Sequence, residues 1–354
     1  MKRLVAGGLM LLVASLVPAT SFADIVFVDY DGIPPNYANL QDGIDAVSDG
    51  GTVYVVASLS GGSPVTFTGP RNRALDFGGK NITLQSFTGP SMIAIDCEGV
   101  DRAMLLSSGT DTTSLISGFT FLSGSADGGG GAIKCLGGSP RISECVFRDN
   151  ATSGSGGAIS LSQGPARITD CGFFGNSARG LGGAVHAADS DVVLEACTFG
   201  DNASGAGGGL SLVNSDLTMR LCTLANNEAA AGAGVWFQAP RTDRSSLIEQ
   251  CVLAFGRVGG AVAGGTPEIF HCCVFGNQGG DDLPGGAHDN QFVDPLLCDL
   301  YGDGGGNMSL CSNSPCLPSN SPWEIQVGSK AQGCATCDSP IESSSWGGIK
   351  ALFR

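Results

Sequence analysis

Gly156-Gly-Ala-Ile159-Ser-Leu161, then Pro165-Ala-Arg-Ile168, then Cys171-Gly-Phe173-Phe-Gly-Asn176 spells one turn of a repeat. The cysteine end of that unit returns as Cys145-Val-Phe147-Arg-Asp-Asn150, Cys197-Thr-Phe199-Gly-Asp-Asn202 and Cys222-Thr-Leu224-Ala-Asn-Asn227. A weaker copy stands at Cys251-Val-Leu253 and a last one at Cys272-Cys-Val274-Phe-Gly-Asn277. Successive cysteines are 26, 26, 25, 29 and 21 residues apart. The glycine end returns as Gly130-Gly-Ala-Ile133, Gly182-Gly-Ala-Val185, Gly208-Gly-Leu210 and, after a slip, Gly234-Val235. Self-similarity at this period, with short apolar runs and turn residues between them, marks a solenoid.

The unit can be read residue by residue. By the period of two, Ile159 and Leu161 face inward and Ser160 outward. Ile168 is again inside, but Cys171 follows it by three rather than two, so the chain bends there before Phe173 turns inward. Asn176 rounds the next corner. Three strands in about 25 residues leave no room for a helix in each turn, which excludes a leucine-rich horseshoe and favours a parallel β-helix. Stacked coils bring Cys145, Cys171, Cys197, Cys222, Cys251 and Cys272 over one another about 4.8 Å apart. They read as small buried apolar residues, with bridging between neighbours as the competing reading. Asn150, Asn176, Asn202, Asn227 and Asn277 read as an amide ladder that satisfies polar groups at a buried bend. Asparagine's own preference for turns would put them at the same corners.

Outside the repeats the chain divides into four pieces. Residues 1–23 have a basic start (Met1-Lys-Arg3), an apolar run from Leu4 to Val17 and small residues at Ser21 and Ala23. That is the pattern of a secretory signal peptide cut after Ala23, with no cysteine at the cut for a lipid anchor. No later stretch reaches the ~18 apolar residues of a membrane span, so the mature chain is expected to be exported without a transmembrane segment. Residues 24–51 read as a strand at Ile25–Val28 and a capping helix over Ala38–Val47, where Leu40, Ile44 and Val47 share one face. Residues 52–297 form the β-helix, roughly nine to ten coils at this period. Its first strands are expected at Thr52–Val56, Ala74–Phe77, Asn81–Gln85, Ile93–Asp96, Ala103–Leu106 and Leu115–Phe121. Residues 298–337 hold Cys298, Cys311, Cys316, Cys334 and Cys337 and read as a disulfide-stapled C-terminal cap. Residues 338–354 are a polar linker and an aromatic, basic tail that reads as a sorting signal or a frayed end. The net charge of −15 excludes nucleic acid and anionic membrane as partners.

The paired motifs Gly156–Ile159 and Phe173–Asn176 resemble the repeats of chlamydial polymorphic outer membrane proteins. More broadly the chain resembles bacterial right-handed parallel β-helix proteins of the pectate-lyase-like superfamily. The likeness extends to Leu75-Asp-Phe-Gly-Gly-Lys-Asn-Ile-Thr-Leu84, Ile95-Asp-Cys97, Ser117-Gly-Phe-Thr-Phe121, Phe292-Val-Asp-Pro-Leu296 and Ser314-Pro-Cys316. It covers residues 38–337 and implies an all-β, single-stranded right-handed parallel β-helix of three-strand coils. For function it is less specific, since the superfamily holds lyases, hydrolases and adhesins.

Chemistry on such a fold sits on rows of equivalent outward residues. Just after the glycine pair that row is Lys134, Ser160, His186, Ser211 and Trp236, a stripe suited to a sugar chain, with an ordinary solvated face as the bland alternative. The lyase pattern implied by the resemblance needs calcium-binding carboxylates on this face, and the row contains none. Arg141, Arg167 and Arg220 stand on a neighbouring strand, with no acidic cluster expected beside them. The hydrolase pattern needs an aspartate set with a Gly-His-Gly turn, and His186, His271 and His288 have other flanks. Glu144 and Asp170 form a candidate acid pair on adjacent coils. Asp281, Asp282, Asp299 and Asp303 are oxygen-rich and make calcium the one cofactor to consider. Cys334-Ala-Thr-Cys337 lacks a βαβ context and reads as a structural bridge or a zinc pair. The resulting expectation is an exported, non-catalytic β-helix presenting a face for adhesion or for a polysaccharide or cell-surface glycan. The alternative is a polysaccharide lyase or glycoside hydrolase.

Overall fold

A computed structural model describes residues 25–337 apart from 33–35, 58–62, 108, 239–245, 286 and 299–307. The expected signal peptide, the 338–354 tail, Asp299 and Asp303 lie outside the described residues.

The chain winds as a parallel β-solenoid whose three long sheets run along its axis. One sheet has 11 strands, from Ile25–Asp29 to Ala287–His288; a second has nine, from Val65–Phe67 to Cys273–Phe275. The third has seven, from Met104–Leu106 to Val262–Ala263. Strands pair with their equivalents one coil away, so Ile142 lies beside Ile168 and Phe147 beside Phe173. The 11-stranded sheet gives about 11 turns, more than the nine to ten expected. The difference lies in the irregular end coils, whose strands pair without carrying the repeat motif.

Three-strand coils need a second amendment. After the asparagine corner two more residues pair with the next coil before the glycine loop, at Ser125–Ala126, Ala151–Thr152 and Ser177–Ala178. Isolated bridges carry this ribbon on through Ala203 to Glu228, so the middle coils have a short fourth strand. Near the N-terminus the expected strand Leu115–Phe121 is broken into Leu115–Ser117 and Thr120–Leu122. Gly118 between them has φ +82°, a left-handed turn that ends one sheet and starts the next.

The corners follow from backbone handedness. The residue before each ladder cysteine (Glu144, Asp170, Ala196, Leu221, Gln250, His271) is left-handed, with φ between 51° and 55°. One residue in that region reorients the strand, which is why the apolar interval stretches to three. Such residues cost about 1–2 kcal/mol each, and the buried ladders behind them offset the strain. Gly156 meets the same demand at φ +76°, and a side chain there would run into the Ile159 carbonyl. Gly182, Gly207 and Gly232 make the equivalent turn. The slipped last copy is thereby resolved: its turn glycine is Gly232, two residues before the Gly234 that the sequence suggests.

Inside, Phe121, Phe147, Phe173 and Phe199 stack with ring centroids 4.9, 4.9 and 4.6 Å apart. Asn150, Asn176, Asn202 and Asn227 are almost wholly buried. The amide nitrogens of Asn150, Asn176 and Asn202 each donate to the Oδ1 of the next asparagine, and all four donate to a phenylalanine carbonyl of the coil before, as Asn176 does to Asn202 (2.9 Å) and Phe147 (3.0 Å) and Asn227 to Phe199 (2.9 Å). The row continues past Gly256, whose N–H donates to Asn277 Oδ1 at 2.9 Å. The ladder cysteines are free and buried, and each thiol donates to the carbonyl two residues back, 3.1 Å for Cys145 and Ser143.

The N-terminal helix is Leu40–Ala46, with Leu40 and Ile44 buried in the common core. The C-terminal segment is joined by disulfides Cys298–Cys334 and Cys311–Cys337, while Cys316 stays free. It lies along the side of the solenoid, on the outer face of the nine-stranded sheet. There Met308, Leu310, Cys316, Leu317 and Val327 share an apolar cluster with Ala225, Val252, Ala254 and Cys273. Gly328 N–H donates to Gln250 O (2.8 Å) and Ser329 N–H to Thr223 Oγ1 (3.0 Å). The expectation of a stapled end is thus amended: the outward residues of that sheet become small at Gly200, Ala225 and Ala254, and this makes room for a covering segment.

Candidate functional site: an axial groove beside the outward stripe

Sheet register sets Lys134, Ser160, His186, Ser211 and Trp236 in one row, followed by Ala263. The row is less open than a bare strand face. Ser160 and Ser211 are buried, because the glycine loops curl over them; a side chain at Gly129 or Gly182 would touch their hydroxyls. Lys134 Nζ donates to the Gly128 carbonyl at 2.8 Å. His186 Nδ1 is 2.8 Å from Ser211 Oγ, and burial pulls its imidazole down to about 4. His186 is therefore neutral near pH 7 and has its polar partner within the row. Trp236 and Lys134 are left as the half-exposed ends of the stripe.

On the other side of those glycine loops runs a groove of about 880 Å³. It crosses five successive coils along the short-strand ribbon, lined among others by Asp101, Asp127, Ser153, Ser177, Arg179 and Ser204. The floor is set by Thr152, whose hydroxyl donates to Ala126 O (2.6 Å) and accepts from Gly129 N–H (3.1 Å). Asp127, Ser153, Arg179 and Ser204 recur at the repeat period, so they form a row of their own, and Ser153 donates to Asp127 at 2.6 Å. Beneath the mouth, Arg102 donates to the Gly129 and Asp127 carbonyls at 2.8 and 2.9 Å. Burial holds its guanidinium below the ordinary value. The Arg179 side chain makes no hydrogen bond or ion pair among the described residues and stays exposed in the groove.

These groove residues are absent from the candidates read off the sequence. A signal was present: a polar residue three or four positions before each glycine pair, at the same spacing as the cysteines.

Other candidates are placed differently. Asp281 closes the asparagine ladder, accepting from Asn277 Nδ2 (2.7 Å) and from the backbone of Gly276 and Asn277 (3.0 Å each); Asp282 beside it is exposed. Glu144 and Asp170 are corner residues, and burial raises the Asp170 carboxyl, followed by the nearby Cys197 thiol. Two of the arginines each pair with a single acid rather than a cluster: Arg167 with Glu195 (2.6 Å) and Arg220 with Glu249 (2.9 Å). Those acids belong to the next coil of the same strand row, which spacing within one coil does not reveal. His271 lies against Trp323 of the C-terminal segment, with ring centroids 4.9 Å apart.

The description "Right handed beta helix region" fits a family model that matches residues 105–294. The chain belongs to that family. In this right-handed β-helix the matched span holds the asparagine and cysteine ladders, the outward stripe and all of the groove from Ser125 to Ser204. No curated protein and no solved structure matches the chain. No helix among the described residues is long and apolar enough to cross a membrane.

Proposed function

We propose that this right-handed β-helix is an exported protein that binds a polysaccharide or cell-surface glycan along its axial groove without cleaving it. The observation that carries the reading is the groove itself. Ser125 and Ser177 stand in one row with Ala151 between them, and Ser153 and Ser204 in the next with Arg179 between them, so coils spaced about 4.8 Å apart each offer an extended sugar chain one hydroxyl, on alternate rows. Arg179 supplies an exposed cation toward any carboxylate or sulfate the chain carries. The acids in the groove already have partners: Asp127 accepts from Ser153, and Asp101 accepts the Arg102 N–H at 2.7 Å. The basic and apolar start of the sequence supports export.

Screening the chain from residue 24 onward on a glycan array, with Arg179→Ala and Trp236→Ala beside it, tests the reading. Binding should weaken about tenfold in Arg179→Ala, the loss of one charge-assisted hydrogen bond. It should hold in Trp236→Ala. Loss in Trp236→Ala alone would move the site to the stripe. Product release from a polyuronide or neutral glycan would establish an enzyme instead.

A further inference from the structure

Of the 14 cysteines, four are bridged and ten are free. Eight of those ten face the solenoid core. The six ladder thiols are stacked in parallel and point the same way, each occupied by a carbonyl of its own coil, and Cys97 and Cys135 are set in the core among aliphatic side chains. The remaining two differ in direction, although Cys273 Sγ also reaches a carbonyl, that of Val293 at 3.1 Å. Cys273 is the one next to a ladder cysteine, so the alternation of the strand turns it outward, onto the face that the C-terminal segment covers. Cys316 belongs to that segment. Both are wholly buried in the apolar cluster that joins segment to sheet.

Gln291 links them. Its backbone pairs with Cys273 as the neighbouring parallel position, and its side-chain amide nitrogen lies 3.9 Å from Cys316 Sγ. The side chain beside Cys273 on the sheet therefore touches the Cys316 sulfur. The Cys273 thiol is held well above its ordinary value, first by the Cys316 thiol and then by burial; the two thiols are near enough to feel each other.

We infer that Cys273 and Cys316 form a third disulfide, which fastens the C-terminal segment to the outer face of the nine-stranded sheet. The step joins the two sulfurs and releases two protons and two electrons, and the electrons go to a disulfide-bearing oxidant that is reduced to its thiols. A buried thiol with a raised pKa attacks slowly, so the bridge forms while the segment is still undocked. The inference rests on the exported setting proposed above only for the oxidant.

The test is a thiol count on the chain from residue 24 onward, prepared without reductant, refolded in air with a glutathione disulfide/glutathione pair, denatured and alkylated. Three disulfides leave eight alkylated cysteines and yield one peptide pair joined through Cys273 and Cys316. Ten alkylated cysteines, or label on Cys273 or Cys316, would overturn the inference. Cys316→Ser supplies a second readout that does not depend on connectivity. It should expose Cys273 to labelling and raise hydrogen exchange at the Gly328 and Ser329 amides relative to wild type. An exchange pattern identical to the wild type would contradict a fastening role. Because glycan binding is read elsewhere on the molecule, its failure would leave this count unaffected.

Discussion

Replacing Asn176 by alanine tests what holds the middle coils together. Its side chain accepts from the Asn150 backbone N–H (3.1 Å) and the Asn150 amide (3.0 Å). It donates to Asn202 Oδ1 (2.9 Å) and Phe147 O (3.0 Å). Not all four losses count equally. The Asn150 amide keeps Phe121 O at 3.1 Å, and Asn202 Oδ1 keeps the Asn176 N–H at 3.0 Å. The group deprived of this side chain without such a replacement is the Asn150 N–H, in a place closed to water; the Phe147 carbonyl keeps its place in the parallel ladder with the Phe173 strand. At about 1–3 kcal/mol for a buried group left unpaired, the change should cost roughly 1–3 kcal/mol. Urea unfolding followed by far-ultraviolet circular dichroism reads it, with Ser153→Ala as the reference. Ser153 is exposed and makes its bond at the surface, so its loss should stay within about 0.5–1 kcal/mol. If Asn176→Ala and Ser153→Ala unfold at the same urea concentration with equal slopes, the amide row is a turn preference and the ladder argument fails.

His186 predicts a pH dependence. Burial lowers its folded pKa to about 4 from 6.5, so below about pH 6.5 the unfolded chain takes up a proton that the folded one refuses. Stability should therefore fall as pH drops from about 6.5 toward 4, by roughly 2–3 kcal/mol, and His186→Asn should flatten that part of the profile. Urea midpoints at pH 7, 5.5 and 4.5 for both proteins check it, and parallel profiles would contradict it. At Gly200 any side chain would meet the Met308 methyl. Gly200→Val should lift the C-terminal segment and raise hydrogen exchange at Gly328 and Ser329 while the amides of Phe147 and Phe173 stay protected. Unchanged exchange in the segment would show that it does not rest on Gly200.

The fold was legible because a solenoid writes each structural demand once per coil. Cysteine spacing, the Phe-x-x-Asn corner and the glycine pair each report a local requirement, and the stretched interval before Cys171 already marks the left-handed residue Asp170. What the repeat does not report is anything that happens once. The short fourth strand at Ala151–Thr152 has too few residues to show a period. The side of the solenoid taken by the C-terminal segment depends on outward residues shrinking from Arg148 and Phe174 to Gly200, Ala225 and Ala254, a change that matters only when those positions are known to be adjacent. The outward stripe was readable as a row, yet its burial was not. Ser160 and Ser211 are closed off by the glycine loops, whose path depends on positive φ rather than on any side chain.

Those coverings bear on where a ligand can go. The nine-stranded face over its last coils is occupied by the chain's own segment, and the seven-stranded face is narrowed by loops that bring Ser160 and Ser211 out of contact with water. The 11-stranded face is open, but its charged rows neutralise themselves through Arg167–Glu195 and Arg220–Glu249. Exposed pairs of that kind are worth at most about 1 kcal/mol, and a ligand would have to break them to use either charge. Along the short-strand ribbon the balance is reversed. The hydroxyls of Ser125, Ser177 and Ser204 and the guanidinium of Arg179 border open space, on a floor held rigid by Thr152 and the asparagine corners behind it. A polar ligand that follows the axis meets Ser125, Ser177 and Arg179 by displacing water there, while Ser204 keeps its own bonds to the Ala206 and Gly207 carbonyls. That difference in cost, rather than the presence of any one residue, is why the groove and not the stripe is the place to look for bound sugar.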